Sequence, residues 1–214
     1  KAEGEMPKIG ETFASLGKNS KYASGVLAQV LYVGGQIMCW TYIYQYAEGI
    51  GMDSVTAGYY QMAAFVLFTV GRAIGTYLLR FISSGKLLMY FAVLAMVFSL
   101  GTIFIQGIIG LYCLVGISFF MSLMFPTIYG IALGGLSEEQ SKVGSAGLVM
   151  AIVGGALMPK LQGIIIDAGG NGVADTSIMG VSEVNFSFIL PLLCFSFIAW
   201  YGFRVFKKYE SISS

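Results

Sequence analysis

Six stretches of nearly unbroken apolar residues divide this chain, each close to the roughly 20 residues that a helix needs to cross a bilayer. They fall at about 22–46, 54–79, 86–105, 107–133, 143–166 and 186–206. The first is the most informative, because polar groups recur within it. In VLAQVLYVGGQIMCWTYIYQY, covering Val26 to Tyr46, a helical turn of about 100° per residue gathers Gln29, Tyr32, Gln36, Trp40 and Tyr44. They lie within roughly a third of the circumference. Lipid does not tolerate a polar stripe, whereas a cavity filled by water or ligand does. The pattern predicts a helix that lines a substrate path. Barrel strands would alternate polarity in segments of about ten residues, a pattern absent here, so the expected fold class is all-α integral membrane.

Two further segments repeat the stripe. Gln61, Phe65, Phe68 and Arg72 share one face of the second, and Ser118, Ser122, Phe125 and Tyr129 share one face of the fourth, straddling Pro126. Aromatic faces that cover C–H surfaces, beside amides and hydroxyls that pair with OH groups, suit a sugar. For any single Phe, packing or an interfacial aromatic belt explains the residue as well. Gln36 and Trp40 stand out because they are near mid-span and one turn apart, while Tyr44 sits nearer the interface.

Pro126 and Pro159 each remove a helix hydrogen bond in mid-span and are expected to kink their helices. Broken helices recur where carriers bind and rock. Lys160, directly after Pro159 and two before Gln162, is the one charge that falls deep in a span. Such a lysine is a candidate site residue unless it snorkels to the interface. On a regular helix Lys160 and Gln162 differ by about 200°, so both reach a cavity only if the kink twists the segment. Arg72 lies near the end of its span and is expected to bond a neighbouring helix end and latch one side shut. Small-residue repeats at Gly71–Gly75 and Gly130–Gly134 predict close helix approach.

Composition agrees with the membrane reading. Of 214 residues, 57% are hydrophobic and 11% charged, against about 25% charged in a soluble domain. The net charge of +1 is uninformative, but its placement is not. Lysines and arginines cluster before the first span, at Arg80–Lys86, at Lys142 and after the last span, whereas the opposite links have none. The positive-inside rule then puts both termini in the cytoplasm. No basic block points to nucleic acid. The absence of His, and cysteines (Cys39, Cys113, Cys194) without metal or disulfide spacing, leave no cofactor or metal site. No Asp or Glu is expected inside a span, and no catalytic constellation marks an enzyme.

The run VLAQVLYVGGQIMCW resembles the seventh transmembrane helix of bacterial L-fucose–proton symporters, within the major facilitator superfamily. GRAIGTYLLRF, FFMSLMFPTIYGIALGGL, KVGSAGLVMAIVGGALMP and IIIDAGGN follow in that family's order. The resemblance implies a six-helix C-terminal half, residues 22–206, built as two inverted three-helix repeats. Residues 1–21 would be the end of a central cytoplasmic loop and 207–214 a cytoplasmic tail. It further implies a multi-pass protein of the plasma (inner) membrane that moves a monosaccharide by alternating access, with the proton as coupling ion. The sugar could be fucose, glucose/galactose or a relative, and an N-terminal half is the expected partner. The family's aromatic lining falls on Trp40, Phe68 and Phe125, and its loop signature on Gly75, Arg80 and Lys86. Three departures stand out. Phe125 replaces a Tyr, Lys160 has no counterpart in the fucose carriers, and the loop lacks its acidic residue. A non-transport six-helix scaffold and a half-size dimeric carrier are the alternatives.

Overall fold

Burial of apolar side chains and capping of polar helix ends explain most of what the chain does. A computed structural model describes residues 9–170 and 177–210. The first part of the expected central-loop segment, Asp175 and the end of the expected tail lie outside the described residues. Helix α1, Ile9–Lys18, is short and amphipathic, and its buried Leu16 packs with Tyr22, Val143 and Leu148. Asn19 then caps α2, Ser20–Thr41, by accepting from the Lys21 and Tyr22 amides. Next come α3, Ile43–Gly49, α4, Ser54–Leu78, and α5, Ser84–Phe104. Asp53 caps α4 through the Val55 and Thr56 amides, satisfying donors that the first turn leaves unpaired.

The second half of the chain contains α6, Ile108–Met121, and α7, Met124–Leu133. These are followed by α8, Glu138–Met150, and α9, Gly154–Ile166, separated by a tight turn at Ala151–Val153. A capping box of Ser137 and Gln140 opens α8. The chain closes with α10, Glu183–Ser187, and α11, Ile189–Val205. Together these form six segments long and apolar enough to cross a membrane: Ser20–Gly49, Ser54–Leu78, Ser84–Phe104, Ile108–Leu133, Glu138–Ile166 and Glu183–Lys208.

Only the second and third of these are single uninterrupted helices. The first breaks at Tyr42, the fourth at Ser122–Leu123, the fifth at Ala151–Val153 and the sixth at Phe188. Pro126 explains the fourth break, because it occupies the first turn of α7, where a missing N–H costs nothing. Pro159 lies inside α9, and the interruption expected there falls instead upstream, at the turn before Gly154. In the polar link after α9, Ser177–Ile178 pairs antiparallel with Val181–Ser182. Met179 and Gly180 both take positive φ, 54° and 84°, which is the two-residue turn that fits a hairpin's twist. An all-helical reading does not anticipate this hairpin.

Polar bonds gather the links at two ends of the bundle. At one end the Lys21 ammonium donates to the Gly134 carbonyl (2.9 Å), Tyr22 to the Gly144 carbonyl (2.9 Å) and Arg204 to Ser20 (2.6 Å). At the other, Asn185 donates to the Thr102 carbonyl (2.9 Å) and to the Tyr46 hydroxyl (3.1 Å), which donates to the Ile105 carbonyl (3.2 Å). Between the two ends, glycines let backbones touch. A Cβ on Gly202 of α11 would lie 2.8 Å from the Met89 nitrogen of α5, and one on Gly71 of α4 would meet the Phe119 carbonyl of α6. Gly75 likewise sits against Leu123. A Cβ on Gly130 would meet nothing within 4 Å among the described residues, so no close helix approach is seen at that position.

Candidate functional site

Helix α2 supplies the centre of the site. It packs through Gly35 against Cys194 and Phe195 of α11, and through Gly34 against Met158 of α9. This leaves the edge that carries Gln36 and Trp40 half-buried rather than enclosed. The Trp40 indole N–H donates to the Ser118 hydroxyl of α6 at 3.2 Å, which fixes the ring's orientation. Two rings of α4 meet it edge-on: Phe65 at 5.0 Å between centroids and Phe68 at 5.1 Å. The Arg72 guanidinium lies 5.6 Å from the centre of Phe68. Below them runs a second row, with Tyr32 edge-on to Phe125 at 6.0 Å and Phe125 stacked with Tyr129 at 6.4 Å. Three helical segments therefore do converge their aromatic stripes.

Membership of the open face is narrower than the stripes predict. Trp40, Gln36, Gln61, Phe68, Phe125 and Tyr129 are all half-buried, and neither Gln36 nor Gln61 makes a hydrogen bond among the described residues. Tyr32 is fully buried and donates to the Met121 carbonyl (3.1 Å). It ties α2 to the end of α6 and supports the Phe125 ring from behind. Ser122 is buried and turned back onto the Phe119 carbonyl (2.7 Å), where α4 approaches through Gly71. Gln29 is fully buried with neither amide atom partnered. Gln162 is also buried and donates to Ser187 of α10 at 2.9 Å. These four side chains belong to the interior of the bundle and do not reach the open face.

Lys160 goes the other way. It is exposed on the outward side of α9 with Leu157, Leu161 and Ile164, opposite Gln162. Placing the break upstream of Pro159 keeps α9 regular, so the two residues stay on opposite faces. The Pro159 carbonyl instead accepts from Tyr42 at 2.7 Å, stitching α9 to the break in the first span. The Arg72 guanidinium makes no hydrogen bond or ion pair among the described residues and lies instead over Phe68. Arg80 lies beyond the end of α4, 6.0 Å from the centre of the Tyr77 ring.

One carboxylate is more buried than its sequence position implies. Glu183 opens α10 and is fully buried, at the end of the bundle held by Asn185 and remote from the aromatic rows. It follows a polar link in sequence, and its short helix packs against α3, α5, α9 and the Val181–Ser182 strand. Asn185 and Tyr46 were equally invisible as a pair, because 139 residues separate them. Among the described residues no cluster of His, Cys, Asp or Glu could hold a metal ion.

No protein-family model matches the chain. The L-fucose-proton symporter of Haemophilus influenzae is 54% identical over 192 residues, which is 90% of this chain and 43% of that protein. The L-fucose-proton symporter of Escherichia coli is 34% identical over 89% of this chain and 42% of its own length. A putative glucose/galactose transporter of Helicobacter pylori is 31% identical over 98% and 49%. The chain therefore spans about half the length of the curated relatives it matches. Among solved structures, FucP, a major facilitator superfamily transporter in the outward conformation, superposes with a TM-score of 0.81 at 30% identity. The match covers 94% of this chain and 46% of that one. The relatives are transporters, not enzymes. The chain is homologous to the L-fucose-proton symporters, matches their C-terminal part, and has the fold of half a major facilitator superfamily transporter.

Proposed function

We propose that this chain is the sugar-gripping C-terminal half of a secondary carrier that moves a monosaccharide across the plasma membrane by alternating access. The observation that carries the reading is the Trp40 centre. An indole held by Ser118 and buttressed by Phe65 and Phe68 stands beside Gln36, whose amide has no partner among the described residues. A rigid ring next to a free amide offers an apolar face and two hydrogen-bonding groups, which is what a pyranose requires. Phe68, Phe125, Tyr129 and Gln61 complete the lining, with fucose, glucose or galactose as the sugar class.

The proton is the proposed coupling ion, in keeping with the L-fucose-proton symporters that the chain resembles. Among the described residues no carboxylate adjoins the aromatic rows, so the proton-loading group is assigned to an N-terminal half facing this one. Arg72, Gly75, Arg80, Pro126 and Pro159 are assigned to the moving contacts and helix breaks. Residues 1–21 and 207–214 are placed in the cytoplasm, because the end of the bundle that holds Lys21, Lys86 and Arg204 is the cationic one.

The test is sugar uptake by the full-length protein in proteoliposomes, with and without a protonophore. Uptake is expected to collapse with the protonophore, and Trp40→Ala or Gln36→Ala is expected to abolish it while the protein still folds. Undiminished uptake by both variants would sink the assignment of the site.

A further inference from the structure

The last span ends in cations set on aromatic rings. A groove of about 450 Å³ on the outer side of α11 is lined by Trp200, Phe203, Arg204, Lys207 and Lys208. The Arg204 guanidinium lies 5.4 Å from the centre of Trp200, and the Lys207 ammonium 6.0 Å from that of Phe203. From the first turn of α5, the Lys86 ammonium comes within 5.7 Å of the centre of Phe206. Helices α2, α5 and α11, which pack together here, carry no Asp or Glu. The closing turn Phe206–Glu210 adds one acid in sequence beside two lysines. The charge of this end is therefore strongly positive.

This groove lies behind the proposed sugar site. Helix α11 meets α5 through Gly202 and α2 through Cys194, Phe195 and Tyr201. The helical repeat puts Gln36 and Trp40 about 100° and 140° round α2 from Gly35, the residue that α11 touches. The rings of the site come from α2, α4 and α7, and α11 supplies none of them. Leu193, Trp200 and Phe203, at spacings of seven and three, share the outer face of α11 and are exposed along it. From Leu193 to Phe203 this apolar lane runs ~15 Å at 1.5 Å per residue. That is the depth of one leaflet of a hydrocarbon core about 30 Å thick.

We propose that this face binds an anionic phospholipid of the cytoplasmic leaflet. Its phosphate sits among Arg204, Lys207 and Lys208, and an acyl chain lies along Phe203, Trp200 and Leu193. Charge and length together select this occupant. A free phosphate makes no use of the lane, and a zwitterionic lipid brings its own cation among three others. One nitrogen of Arg204 donates to Ser20 (2.6 Å), which holds the guanidinium at the seam between the first and last spans. A guanidinium offers five N–H donors in a fork that suits phosphate, so the same side chain serves both. Anionic lipid at the membrane surface attracts each Lys or Arg placed there. The proposal takes the cytoplasmic placement of this end from the carrier reading and is independent of which sugar is carried.

The experiment measures lipid binding to the purified full-length carrier by native mass spectrometry, with phosphatidylglycerol and phosphatidylcholine of equal chain length. Wild type is expected to prefer phosphatidylglycerol. Lys207→Gln combined with Lys208→Gln should weaken that binding about 25-fold, about fivefold for each cation lost, and leave phosphatidylcholine unchanged. Lys207→Arg combined with Lys208→Arg should keep the preference. Lys18→Gln combined with Lys142→Gln removes the same charge from the same end of the bundle, away from the groove, and should bind as wild type does. Glycerol 3-phosphate, which has the phosphate but no chain, should not displace the lipid. Equal losses in the two glutamine pairs would mean a diffuse field, and displacement by glycerol 3-phosphate would mean a site for phosphate alone. Either result, or a wild type without preference, overturns the proposal. Sugar uptake is scored separately, so a protein that takes up no sugar fails the carrier reading and leaves the lipid result standing.

Discussion

Gly154→Ala is the sharpest test of how the two helices that frame the site are held. Gly154 opens α9 directly against the backbone of α2. A methyl group there would lie 2.9 Å from the Val30 carbonyl carbon and 3.0 Å from its Cγ1, with the carbonyl oxygen closer still. Ordinary contact begins near 3.4 Å, and the Val30 backbone is locked in helix, so it cannot turn aside as a side-chain tip would. The helices must separate by about an ångström to clear the carbonyl oxygen, and packing changes of this kind cost about 1–3 kcal/mol. Because the obstacle is backbone the cost falls toward the upper end, and after alanine recovers up to about 1 kcal/mol of helix propensity over glycine the net loss is about 2 kcal/mol. For a chain of this size that is a fall of a few degrees in melting temperature. The assay is thermal unfolding of the purified protein, with sugar uptake in parallel, since separation at Gly154 also displaces the face that carries Gln36. Gly130→Ala is the control. A Cβ there would meet nothing within 4 Å among the described residues, so its melting temperature should hold or rise slightly. If Gly154→Ala and Gly130→Ala melt alike, the close-approach reasoning is wrong.

Three other expectations follow from particular contacts. Tyr32→Phe removes one buried bond, to the Met121 carbonyl, without moving the ring from Phe125; it should cost about 0.5–1.5 kcal/mol and leave sugar affinity intact. A large loss of affinity would return the hydroxyl to the binding site. Asn185→Ala strips donors from the Thr102 carbonyl and the Tyr46 hydroxyl, and is expected to lower stability by about 1–3 kcal/mol, read as a drop in melting temperature. The Thr56 hydroxyl and the amides of Val55 and Thr56 hold the Asp53 carboxyl below its ordinary range. The depressed value means that its capping contribution is full above the ordinary aspartate range and is lost as pH falls through the lowered value. Amide exchange at Val55 and Thr56 should therefore accelerate in acid beyond its intrinsic pH dependence, a step that Asp53→Asn removes.

Patterning of apolar and polar positions determined six spans and the stripes on the first, second and fourth. Those are local properties, governed by the helical repeat and by lipid's exclusion of charge. It also put Gln36 with Trp40, Phe65 with Phe68, and Ser118 with Ser122 and Phe125 on common faces of their own spans, because residues three and four apart share a face. What it could not decide was depth within a stripe. Tyr32, Ser122 and Gln29 sit on the same helical faces as the half-open residues, yet α6, α7 and the Gly71 approach of α4 close over them. Nor could periodicity locate the break in the fifth span. Proline marks a lost hydrogen bond, but the yielding point is the turn at Ala151–Val153, where α9 presses Gly154 against α2. Asn185 shows the same limit, because its partners Tyr46 and Thr102 lie far away in sequence. The helices were written in the sequence, whereas which side chain faces the path was settled only when neighbouring helices covered the others.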